Sequence, residues 1–131
     1  MRLLLDTHIF IWWADAPEKL SAKTLKFMLD PDNDLVLSVA SLWEMQIKVQ
    51  LGKLKLRRNL SELVQIQQEV NGIQLISISP AHVFMLDELP LIHKDPFDRM
   101  IIAQAIIEDL LLVSDDKIFT QYNVNLLRAD T

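Results

Sequence analysis

Four short, largely apolar runs punctuate the chain: Leu3-Leu4-Leu5, Leu35-Val36-Leu37, Gln74 to Ile78 and Leu110 to Val113. Runs of this length, closed by a polar turn or cap residue, predict strands buried on both faces, because a strand with one wet face would alternate instead. Between them the spacing changes to that of a helix. Leu63, Ile66 and Val70 recur at intervals of three and four, and the stretch from Val39 to Leu51 is long and apolar enough for a packed helix. Pro31-Asp32-Asn33-Asp34 predicts a turn between helix and strand, Pro80 and Pro90 punctuate a helical region, and Leu126-Leu127 offers a short last strand. This alternation predicts an α/β fold, doubly wound, with a mostly parallel central sheet of about four or five strands flanked by helices.

Composition narrows the class. The chain has 131 residues, half of them hydrophobic, enough for one domain with a sizeable core, and residues 1–131 read as one unit. The absence of cysteine excludes disulfides, thiol nucleophiles and cysteine-ligated metal centres, and fits a cytoplasmic setting. Asp6 and His8 interrupt the first apolar run too early for a signal-peptide core, and no later run has the length of a membrane span. With only Gly52 and Gly72 there is no glycine-rich phosphate loop, and the histidines His8, His82 and His93 show no metal-ligand spacing. A net charge of −5 argues against nucleic-acid binding by bulk attraction. Locally the balance reverses: Lys48, Lys53, Lys55, Arg57 and Arg58 follow one another with no acid between them, and bound divalent ions would cancel much of the net negative charge.

The candidate chemistry lies in four acids, Asp6, Glu44, Asp98 and Asp116, each standing where an apolar run ends or a helix-patterned segment begins. In open α/β sheets ligands collect outside the carboxyl ends of the strands, so acids far apart in sequence can converge there. Converging carboxylates repel one another, and a hard divalent cation such as Mg²⁺ or Mn²⁺ relieves the repulsion. Each acid also has an ordinary alternative. Asp6 and either Asp115 or Asp116 would serve as helix caps. Glu44 would close a capping box with Ser41, unless the helix starts after Ser38 and leaves Glu44 free inside it. Asp95-Pro96 is a strong helix start that places Asp98 in the first turn, where Arg99 opposes the helix dipole unless a phosphate or an ion pair with Asp95 offsets it. Thr7 and Ser114 supply hydroxyls beside the acids, and taken jointly the four positions favour an acidic pocket.

The phrases LLLDTH, SLWEMQIKVQLGKL and HKDPFDRMIIAQA followed by LLLVSDDKIF resemble the PIN-domain ribonucleases, and within them the VapC-type toxins of type II toxin–antitoxin systems. The resemblance covers nearly the whole chain and is sharpest in DPFDR with the downstream AQA. It implies a PIN-like fold and an endoribonuclease whose Asp6, Glu44, Asp98 and Asp116 hold one or two Mg²⁺ or Mn²⁺ ions. It selects Asp116 over Asp115 as the fourth acid, because the family places one residue between hydroxyl and acid. It also implies supporting roles for Thr7, Ser114 and Asp115, a cognate antitoxin and a homodimer. Arg99 and the basic stretch Lys48 to Arg58 are then candidates to hold the RNA backbone.

Two rivals stand beside this reading. A haloacid-dehalogenase-like phosphohydrolase would also place an aspartate after the first strand, but requires a second one two residues later, where this chain has His8. A non-catalytic PIN-like binding module would keep the fold and dispense with the chemistry.

Overall fold

A computed structural model describes residues 1–129; the last two residues of the expected domain lie outside the described residues. Five strands form one sheet: β1 (Arg2–Leu5), β2 (Asp34–Ser38), β3 (Gln74–Ile76), β4 (Leu111–Ser114) and β5 (Leu126–Arg128). Every paired neighbour is parallel, in the spatial order β3-β2-β1-β4-β5. Among the described residues six α-helices connect and cover them: α1 (Thr7–Asp15), α2 (Ala22–Leu29), α3 (Val39–Gln50), α4 (Leu60–Asn71), α5 (Pro80–Met85) and α6 (Pro96–Ile107). Among the described residues no helix is long and apolar enough to cross a membrane. The third strand is shorter than its hydrophobic run predicts, ending at Ile76 and leaving Ser77 to Ser79 to lead into the cap of α5.

The continuous apolar strands are explained by the two layers of helices. Leu3, Leu5, Leu35, Leu37 and Val113 point to one side, where Ile9, Phe10 and Trp13 of α1, Met45 of α3 and Leu63 of α4 meet them. Leu4, Val36 and Leu112 point to the other, against Ile101, Ile102 and Ala105 of α6. Because alternate side chains serve opposite cores, the central positions of β1, β2 and β4 are all apolar, and periodicity two disappears from these runs. Small side chains in α6 bring it close to the sheet: Ala103 and Ala105 are buried with Gln104 between them.

The chain runs from β1 outward to β2 and β3, then crosses to the other side of β1 to lay down β4 and β5. The winding therefore reverses between β1 and β4, and the carboxyl ends of those strands border the crevice in which doubly wound sheets bind ligands. Asp6 follows one of these strands and Ser114 ends the other.

Gly72 closes α4 with a left-handed backbone, φ 66°, and a Cβ built there meets nothing within 4 Å. Gly72→Ala should therefore destabilise the fold by the conformational cost alone, about 1 kcal/mol. Urea unfolding checks this; a loss several times larger would point to a packing role for the turn.

Candidate metal centre

Asp6 is the N-cap of α1 and something more. Its Oδ1 accepts the Ile9 N–H at 2.8 Å, while its Oδ2 accepts a short hydrogen bond from the Ser114 hydroxyl. Capping and site formation are thus shared between two oxygens of one carboxylate, each with a further lone pair. Ser114 also accepts the Asp116 N–H at 3.0 Å, tying the ends of β1 and β4 together. The Asp6 carboxyl is raised from 3.8 to about 6, chiefly by burial and slightly by the charge of Asp115, against the lowering effect of hydrogen bonds from Ser114 and Ile9.

Glu44 reaches the same edge from α3. Ser38, not Ser41, caps this helix, its hydroxyl accepting the Ala40 N–H at 3.0 Å, so the capping box is not used and Glu44 lies within the helix. Its buried carboxylate accepts from Thr7 Oγ1 at 2.7 Å and from Lys48 Nζ at 2.8 Å, and Thr7 Oγ1, its one proton given to Glu44, accepts from the Ser41 hydroxyl at 3.1 Å. Lys48 carries a raised pKa because it bonds Glu44, with Asp95 and Asp98 adding to the effect.

Asp98 occupies the first turn of α6, placed there by the Asp95 cap, which accepts the Phe97 and Asp98 N–H groups at 2.9 and 3.2 Å. Its carboxyl is raised from 3.8 to about 6, chiefly by burial, with the neighbouring charges of Asp95 and then Glu44 acting in the same direction. A hydrogen bond with His93, Nε2 to Asp98 Oδ2 at 2.7 Å, opposes the rise.

Asp116 caps the short 3-10 helix at Lys117–Gln121, accepting the Ile118 N–H at 3.1 Å. Asp116 is exposed yet offers an oxygen to the cluster, whereas Asp115 is partly buried and close enough to Asp6 to perturb it. One ligand atom from each of His93, Asp98 and Asp116 lies within 4.8 Å of the other two. Asp6 and Glu44 stand outside this tightest grouping and border it, Asp6 through Ser114 and Asp116, Glu44 through its electrostatic contact with Asp98.

His93 was missed by sequence reasoning, which looked for histidines at helical or zinc-like spacing. The available signal was its position two residues before the Asp95-Pro96 helix start, which returns it beside the first turn of α6.

The basic candidates divide. Lys48 faces the acids. Along the following segment, Leu54 and Leu56 pack on the core while Lys53, Lys55, Arg57 and Arg58 are exposed. The Arg57 N–H donates to Asp15 Oδ1 at 3.2 Å, and both arginines line a cavity of about 730 Å³ with Asp15, Asn59 and Glu62. Asp15 ends α1, so these arginines gather about 13 Å of helix away from Asp6. The stretch is not a single patch on the acidic crevice.

Arg99 requires a correction. Its guanidinium bonds neither Asp95 nor an outward-facing group; it donates to the carbonyls of Pro90 at 2.9 Å and Leu86 at 3.0 Å, and weakly to the Tyr122 hydroxyl. These acceptors offset a cation near a helix start and tie the side chain to the loop before α6.

Carboxylate oxygens with one imidazole nitrogen nearby form a donor set that fits a hard divalent cation. Two of the carboxylates ionise reluctantly in its absence, the condition a cation would relieve.

The sequence profile of the PIN domain family matches residues 3–125. Ribonuclease VapC22 of Mycobacterium tuberculosis is 28% identical over 116 residues, 88% of this chain and 87% of that protein. Among solved structures, the fold is similar to a chain of VapBC2 from Rickettsia felis bound to a DNA fragment from their promoter, with TM-score 0.74, 19% identity and 98% of each chain covered. It is also similar to a chain of a toxin–antitoxin complex from Klebsiella pneumoniae, with TM-score 0.62, 19% identity and 97% of each chain covered. With its five-stranded parallel sheet, six helices and matched profile, the chain belongs to the PIN domain family.

Proposed function

We propose that this protein is a metal-dependent endoribonuclease, a single PIN domain serving as the toxin of a toxin–antitoxin pair. The observation that carries the reading is the convergence of carboxylates from four separate elements on the crevice where the winding of the sheet reverses. Asp6, Glu44, Asp98 and Asp116 are the residues that would hold Mg²⁺ or Mn²⁺. Such an ion, when bound, lowers the pKa of a coordinated water and neutralises charge on a phosphate oxygen. The chain's own contribution is placement. Ser114 and the Ile9 N–H fix both oxygens of Asp6; Thr7 fixes Glu44; the Asp95 cap sets the turn that presents Asp98. Asp115 raises the negative potential around Asp6, which favours cations over bound anions.

Lys48 is the cation best placed to meet the RNA backbone, because its contact with Glu44 holds it at the rim of the acids. Lys48→Glu should weaken RNA binding and lower the slope of log affinity against log salt by about 0.7, the loss of one contact to a single strand. An unchanged slope measured with a catalytically dead variant would remove Lys48 from the interface.

A cognate antitoxin and a homodimer complete the proposal. The relatives of the fold include toxin–antitoxin complexes, and the surface carries unsatisfied apolar area. Trp43 is 61% exposed, in edge contact with Phe97, beside a groove of about 500 Å³ lined by Leu42, Leu60 and Val64.

The test is cleavage of a mixed cellular RNA pool by antitoxin-free protein with Mn²⁺, with Mg²⁺ and with EDTA, alongside a generic phosphomonoester. Discrete metal-dependent RNA products with no phosphomonoester turnover support the nuclease. Phosphomonoester turnover alone would favour the phosphohydrolase, against which His8 already stands, exposed and beside Trp12. RNA binding without cleavage by folded, metal-loaded protein would favour the binding module.

A further inference from the structure

We infer that His93 is a positioning residue that orients the Asp98 carboxylate for the metal ion, an inference that rests on the metal-site reading above. His93 Nδ1 faces the Asp95 N–H at 3.4 Å and accepts from it, which places the ring proton on Nε2. Nε2–H then donates to Asp98 Oδ2 at 2.7 Å and leaves Oδ1 available to a cation. Carboxylates that ligate metals are themselves held by hydrogen bonds of this kind, which fix their rotation and tune their basicity.

The imidazole can do this because its own position is over-determined. The His93 N–H donates to the Tyr122 hydroxyl at 2.7 Å, and the ring meets Phe119 edge-on at 5.9 Å. Tyr122 in turn donates to the Pro90 carbonyl at 3.1 Å, the same carbonyl that Arg99 engages from α6. Pro90, His93, Arg99 and Tyr122 thus form one lock joining the loop before α6, the helix itself and the segment after β4. The lock explains an arginine near a helix start and a buried tyrosine whose hydroxyl lies one residue away from the site. Both hold the loop that carries the imidazole. Asp95 and Glu44 both repel the charge of Asp98, and the imidazole offsets that repulsion.

The test is Mn²⁺ binding to the metal-stripped full chain by calorimetry, for wild type and for His93→Gln, His93→Asn and His93→Leu, with thermal unfolding in EDTA and electron spin-echo spectroscopy of bound Mn²⁺. Gln can carry its amide N–H to the Nε2 position, whereas Asn and Leu cannot. Expected are a loss of Mn²⁺ affinity of about 10–100-fold in the Leu and Asn variants, recovery of most of it with Gln, and no histidine nitrogen coupling to the ion. Unfolding temperatures in EDTA should not follow that ranking. Wild-type affinity in both Asn and Leu variants would reduce His93 to a structural role and overturn the inference. Nitrogen coupling, with Gln as weak as Leu, would make it a ligand and overturn it as well. A wild type that binds no Mn²⁺ would overturn both this and the metal-site reading.

Discussion

Asp98→Asn should eliminate RNA cleavage while leaving the fold intact. The substitution keeps the size of the side chain and leaves the first turn of α6 in place, because Asp95 provides the cap and Pro96 the start. It replaces a carboxylate by a neutral amide in the tightest part of the cluster, facing His93 and Asp116. Removing one group that stabilises developing charge in an enclosed site costs on the order of 10²–10³-fold in rate, and weakened cation binding should compound the loss. A gel assay with labelled RNA, at Mn²⁺ concentrations that saturate the wild type, measures it. Activity within tenfold of wild type would show that Asp98 is not a metal carboxylate.

The same substitution should make the metal-free protein more stable at neutral pH, and the effect should depend on pH with a definite sign. The Asp98 carboxyl titrates near 6 in the folded chain and near 3.8 in the unfolded one, so between those values the native state holds the proton more tightly. Native stability therefore falls as pH rises through that window, by up to about 3 kcal/mol for one such group. Asp6 behaves alike, raised from 3.8 to about 6 mainly by burial. An asparagine has no charge to develop. The variant should match the wild type below about pH 4 and exceed it by about 1–3 kcal/mol at pH 8 in EDTA, allowing for partial solvent access at Asp98. Added Mn²⁺ should reverse the order at pH 8, stabilising the wild type by mass action and the variant little. Denaturant unfolding at three pH values, with and without Mn²⁺, provides the comparison. A wild type more stable than the variant in EDTA at pH 8 would mean that the cluster is satisfied without a cation.

These results would bear on acids that the sequence exposes to different degrees. The strand ends were legible because buried parallel strands read as continuous apolar runs, and the first polar residue after such a run marks the carboxyl edge. Asp6 follows directly from that rule; at the second edge the rule reaches Ser114 and the Asp115-Asp116 pair, and it is the family resemblance that selects Asp116. Asp98 was legible through Asp95-Pro96, which fixes where α6 begins. Glu44 was not decided by sequence, because Ser38 and Ser41 are both competent caps; the structure chooses Ser38, as β2 runs on to that residue and α3 starts next to it. The parallel register and the place where the winding reverses required tertiary pairing that no local pattern encodes. His93 and Tyr122 escaped for a related reason. They act through an irregular loop and the segment after β4, where side-chain direction follows from contacts across 29 residues of chain and not from periodicity. Arg99 misled because a cation near a helix start suggests an anionic ligand, whereas the acceptors are two carbonyls of the preceding loop.

The central claim is that the acidic crevice cuts RNA through a divalent ion held by these carboxylates. Its most direct test is single-turnover cleavage of a defined RNA substrate, taken from the mixed-pool products, by EDTA-stripped protein titrated with Mn²⁺. The account predicts no cleavage in EDTA and a rate that rises with Mn²⁺ to saturation. Cleavage that persists undiminished in EDTA, at any Mn²⁺ concentration, would contradict it.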